Sequence, residues 1–192
     1  MRGTVSVAML STSAQKNGGH VTPLDYIAAV IAGGTVESIV AGIFIEIPET
    51  RIQSGLSRFS IRAINCFPFI LARNIGTTIA PAYIITHKIN DQNADVHNNS
   101  RNTSEMQAWS QAIAKTLTMS TAVAIIASPL QGVAARVIQE QSVKEAWVNT
   151  KDDFMWENKS TTLLRVLTRA LYTGITGCAI TTAYLVGEKL YK

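Results

Sequence analysis

Residues 26–45 read YIAAVIAGGTVESIVAGIFI, a stretch whose one charge is Glu37. About 20 such residues are enough to cross a bilayer as a helix. The stretch is rich in Ala, Gly and Ile, and small residues let helices approach closely in lipid. Three further stretches share this character. Residues 63–86 carry only Arg73, residues 108–135 only Lys115, and residues 171–187 no charge at all. Extending the last stretch back to Leu163 adds just Arg165 and Arg169. A helix of a soluble bundle shows a charged face, and these segments lack one. The expected fold is all-α: an integral membrane bundle of four transmembrane helices.

Working outward, the composition agrees. Apolar residues make up 47% of the 192, and charged residues 16%, against about 25% in ordinary soluble domains. Such a chain is too apolar and too weakly charged to be disordered. Seventeen basic against thirteen acidic residues give a net charge of +4. No basic cluster longer than two appears, so the chain does not read as a nucleic-acid binder. Cys66 and Cys178 are too few for a disulfide framework and have no metal-binding spacing. His20, His87 and His97 have no acid–His–nucleophile spacing, and no phosphate-binding loop occurs. Ala32-Gly33-Gly34 reads as a helix-packing patch. The chain is therefore expected to be no enzyme and to hold neither cofactor nor metal.

The connecting segments divide the chain. Residues 1–22 form a polar N-terminal segment without the apolar run of a secretory signal. Residues 23–90 form a first helical hairpin, residues 91–105 a polar loop, and residues 106–192 a second hairpin. Sequons stand at Asn98, Asn102 and Asn158. Within the second hairpin, residues 139–160 are charged and aromatic. Val143, Trp147, Thr150 and Phe154 step by three and four, which predicts a short amphipathic interfacial helix in that linker.

The two halves repeat. GTTIAPAYIITHK (76–88) overlays GCAITTAYLVGEK (177–189) without gaps, with Gly, Ile, Ala, Tyr and Lys coinciding. Arg51-Ile52-Gln53, after Pro48, parallels Arg136-Val137-Ile138-Gln139, after Pro129. With the Gly33-Gly34 pair near the start of the first helix and FIEIPETRIQ (44–53) at its end, this layout resembles the mitochondrial carrier family. That resemblance implies hairpins joined by short matrix-side helices in the mitochondrial inner membrane. It also implies transport of a small solute, with an anionic one expected. The signature positions are Glu46, Pro48, Glu49, Arg51 and Gln53 in the first copy, and Pro129, Gln131 and Arg136 in the second.

The departures are specific. The family closes its cavity with an acid and a base in each of three repeats, and this chain shows two. The basic position of the first copy falls on Glu49. In the second copy the acid position is Gln131 and the basic position Ala134. Transport then calls for a homo-oligomer. The alternative is a carrier-derived structural subunit or scaffold of a larger membrane complex.

The intramembrane charges are the site candidates. A charge at the bilayer centre costs at least about 2.5 kcal/mol, so it faces protein or water. Glu37 and Arg73 lie in the middle of adjacent antiparallel spans and are expected to face each other, along a solute path or as a structural pair. Arg165 and Arg169, one turn apart, present two cations that suit a lipid phosphate such as cardiolipin, an anionic substrate, or the membrane boundary. Arg51, Arg58 and Arg62 put the first linker on the matrix side by the positive-inside rule.

Overall fold

The computed structural model describes residues 4–97, 105–154 and 159–190. They are helical throughout, with short linkers and no strand among them. In chain order come α1 (Thr4–Lys16), α2 (Pro23–Glu37), a π-helical stretch (Ser38–Glu46) running straight into α3 (Ile47–Gln53), a 3-10 turn (Arg62–Cys66), α4 (Phe67–His97), α5 (Glu105–Ile138), α6 (Val143–Asp152) and α7 (Lys159–Leu190).

Three helices are long and apolar enough to cross a membrane: Pro23–Gln53, Trp109–Ile138 and Ser160–Gly187. Of the four expected spans, the second falls on α4. That helix is 31 residues long, but Arg73, Asn74 and two prolines dilute its apolar run. Only 39%, 28% and 28% of the three most apolar windows are buried in the bundle, so most of their apolar surface faces outward. On α7 the outward stripe is Leu164, Leu167, Leu171 and Ile175, which repeats at helical spacing.

α2 packs on α4, α5 packs on α7, and α4 packs on α5. α4 also meets α1 and α7, so it occupies the middle of the bundle. A core at the linker end joins both halves through Ile47, Cys66, Ile70, Val133, Val137 and Ala146. A second core at the other end unites Leu10, Val21, Val30, Ala82, Ile85 and Ile89 of α1, α2 and α4.

The N-terminal segment, expected to be simply polar, contains a packed helix. α1 buries Ser6, Leu10 and Ala14, one residue per turn. Two of the three are small, so its inner face does not read as apolar. Ser6 Oγ donates to the Ala29 carbonyl at 2.8 Å. The polar loop is shorter than its composition predicts, because α4 continues as helix to His97. Asn98, Asn102 and Asn158 lie outside the described residues. The second linker does form the expected short helix. α6 turns Ala146 and Thr150 onto α5 and leaves Val143 and Trp147 about half exposed.

Small residues set the helix spacing. A Cβ on Gly33 would fall 1.9 Å from Ser6 Oγ, and one on Gly34 would fall 2.8 Å from the backbone of Ile75. The pair therefore serves two neighbours at once, α1 and α4. On the other side of the bundle Gly174 and Gly177 lie against Leu117, Ser120 and Thr121 of α5. The Thr116 and Thr181 hydroxyls meet there at 3.1 Å.

Two predictions follow from this packing. Overpacking costs about 1–3 kcal/mol, so Gly34→Ala is expected to lower the unfolding midpoint in detergent. Gly76→Ala, whose Cβ would sit 3.6 Å from Val123, is expected to leave the midpoint unchanged. The second prediction concerns the α6 cap, where Ser142 Oγ and N–H donate to the Glu145 carboxylate at 2.8 and 3.1 Å. The side-chain bond first, then the backbone bond, holds the Glu145 pKa below its ordinary 4.5. A depressed pKa stabilises the fold fully above the unfolded value and loses that contribution as pH falls through the folded value. Wild type is expected to unfold at higher temperature than Glu145→Gln at neutral pH, with the difference vanishing in acid.

Candidate functional site

The interior polar side chains gather around Glu46, at the end of the π-helical stretch. Arg73 of α4 grips its carboxylate with both terminal nitrogens, Nη1 to Oε1 at 2.7 Å and Nη2 to Oε2 at 2.8 Å. Gln131 of α5 donates to Glu46 Oε1 at 3.0 Å and accepts a bond from Arg73 Nη1. Arg169 of α7 brings Nη2 to 3.8 Å from the same oxygen. Arg73 Nε donates to Asn74 Oδ1 at 2.9 Å, Asn74 Nδ2 donates to Ser38 Oγ at 3.1 Å, and Ser38 Oγ donates to the Gly34 carbonyl at 2.6 Å. One carboxylate thus joins all four long helical segments. Arg73 and Glu46 retain only 8% and 20% side-chain exposure.

This geometry corrects the expected Glu37–Arg73 pair: Arg73 is clamped by Glu46. Side chains on a helix lean toward its N-terminus. α4 begins at the linker end, so Arg73 leans toward Glu46. α2 begins at the opposite end, so Glu37 leans away. The winding between the two acids matters as well. Nine residues of α-helix make two and a half turns, which would set Glu46 opposite Glu37. The nine residues Ser38–Glu46 wind as a π-helix, whose i→i+5 bonds take more residues per turn and bring the rotation to about two whole turns. Both acids then point inward.

Glu37 is 7% exposed and lines a separate open cleft of about 320 Å³. Thr77, Thr78 and Pro81 of α4 and Thr173 and Thr176 of α7 complete its polar wall. Sequence reasoning passed over these threonines because singly they read as small packing residues. Asn74 and Ser38 were passed over for the same reason.

The remaining signature residues hold the linker end together. Arg51 is 1% exposed. It donates to the carbonyls of Ser57 at 2.6 Å and Ile138 at 3.0 Å, and pairs with Glu140 at 3.0 Å. It therefore caps the C-terminal end of α5, where a cation meets the helix dipole. Gly55, after α3, and Glu140, after α5, both adopt positive φ, +71° and +72°. Leu56 N–H reaches back to Arg51 and Gln141 N–H to Arg136, at 2.9 and 3.1 Å. The two halves thus end in the same cap. That cap aligns Ser54 with Gln139, and these two side chains are bonded at 3.2 Å.

Arg136 turns instead to Asp153, beyond α6. Gln53 donates to Glu49 at 3.3 Å on the exposed side of α3. Pro48 is buried at the start of α3, and Pro129 sits inside α5 without ending it. Arg165 and Arg169, expected to act as a pair, diverge: Arg169 reaches inward to Glu46, while Arg165 is exposed.

No protein-family profile, curated protein or solved structure matches this chain.

The buried pair makes a clear prediction. Removing one partner of a buried ion pair costs about 3–5 kcal/mol, whereas apolar replacement of both is often neutral. Arg73→Ala is expected to lose stability of that order, and Glu46→Leu/Arg73→Met to recover most of it. Denaturant unfolding of the four species in detergent gives the coupling directly.

Proposed function

We propose that this chain is a multi-pass protein of the mitochondrial inner membrane, with α2–α3, α4, α5 and α7 crossing as two carrier-like hairpins. In this reading it serves as a structural subunit of a larger membrane complex rather than as a solute carrier. One observation carries the choice. The polar interior is consumed by its own contacts around Glu46, with α4 filling the centre, so the helices do not stand round a polar chamber. The same contacts support α4 as the fourth span. It is long enough, at about 1.5 Å per residue, and its charge is neutralised by neighbours instead of facing lipid.

The broken signature supports the reading too. Gln131 stands where the second copy would carry an acid, and Glu49, where the first would carry a base, is exposed. The outward apolar stripe of α7 offers lipid or a neighbouring subunit a surface. Exposed Arg165 beside Leu163 and Leu164 suits a lipid phosphate such as that of cardiolipin. A second reading, transport by an oligomer, draws on the Glu37 cleft, which brings polar atoms to mid-span depth.

Two measurements separate the readings. The subunit reading expects the chain to leave native membranes as part of a stable large assembly and to move no solute when purified into liposomes. Specific uptake abolished by Glu37→Gln, from a protein that migrates only as copies of itself, would overturn it.

A further inference from the structure

We infer that the cleft between α2, α4 and α7 is a binding site for one small monovalent cation, an alkali metal ion or a small ammonium. The argument begins with where the hydroxyl protons go. Thr77 and Thr78 each donate to the Asn74 carbonyl, at 3.1 and 2.7 Å. Thr173 donates to the Arg169 carbonyl at 3.0 Å and Thr176 to the Tyr172 carbonyl at 2.9 Å. A threonine hydroxyl has one proton and two lone pairs. All four protons are spent on the threonines' own helices, so the oxygens have only lone pairs left to offer the cleft.

The backbone adds an acceptor. Pro81 lies inside α4 and has no N–H to give the carbonyl one turn back. That carbonyl belongs to Thr77, which lines the same cleft. Glu37 supplies the charge, 7% exposed and at the middle of its span. None of the described residues lining the cleft is Lys, Arg or His.

A wall of acceptors around one carboxylate selects its ligand. An anion would meet a negative charge and lone pairs without a single donor. Arg73 and Arg169, the cations nearest in sequence to this wall, are directed at Glu46. A divalent ion would keep an uncompensated positive charge in a low-dielectric bundle, and Mg²⁺ gives up its water reluctantly. A monovalent ion is neutralised by Glu37 alone and finds oxygen ligands on both sides, from α4 and α7. The site goes beyond either reading of function, because it requires only the folded bundle.

The test is thermal unfolding of the full chain in detergent at fixed ionic strength, with chloride salts of sodium, potassium, methylammonium and N-methylglucamine. The expected result is a saturable rise of the midpoint with one of the first three cations and none with N-methylglucamine. The salt that acts tells a metal ion from an ammonium. Glu37→Gln is expected to weaken the apparent affinity at least tenfold, and Thr173→Val and Thr176→Val severalfold each. The valine variants keep side-chain shape and remove only the oxygen, so they report even where Glu37→Gln fails to fold. An equal response to all four salts overturns the site. So does an affinity unchanged by the valine substitutions.

Discussion

A carboxylate set among apolar helices must be neutralised where it stands, or the helices must part to let water in. Glu46 meets this constraint by drawing a partner from each neighbouring long helix: Arg73 from α4, Gln131 from α5 and Arg169 from α7. The bidentate grip of Arg73 fixes the rotation of α4 as well as its depth. Asn74 and Ser38 extend the network back to α2. The register of the central helix is therefore chosen by hydrogen-bond geometry. Apolar packing between Ala- and Gly-rich surfaces specifies register weakly by comparison.

Around that centre the bundle is held by close approach. Gly33 and Gly34 admit two different helices, and Gly174 and Gly177 a third. Such contacts gain dispersion energy from backbone atoms that larger side chains would hold apart. They also leave the bulky Ile and Leu residues outside, where an apolar medium can solvate them. The outward placement of Leu24, Ile126, Leu164 and Ile175 is the counterpart of a core built from Ala, Gly, Ser and Thr.

Much of this was legible in the sequence. Long segments with almost no charge announced helices for an apolar medium, and the Gly33-Gly34 pair announced a packing patch. The step from Val143 to Phe154 announced α6. The repeat was legible too, and the structure gives it a shared feature in the matched caps at Gly55 and Glu140. The partner of Arg73 was not legible. Choosing between Glu37 and Glu46 depends on the direction in which side chains lean and on the winding between the two acids. A π-helical stretch leaves no mark in hydropathy. α1 escaped notice because its buried face is largely Ser and Ala. The threonine wall of the cleft became visible only once each hydroxyl could be assigned an acceptor.

Arg51 has one more effect. Buried in one half, it bonds to Ile138 and Glu140 of the other, and Ser54 and Gln139 fasten the same junction. The halves are thereby pinned at one end, like the legs of a pair of tweezers. Any splaying between them is least beside the pin and grows with distance along the helices. The widest excursions fall at the opposite rim, where α1 lies across α2 and α4 as a strap.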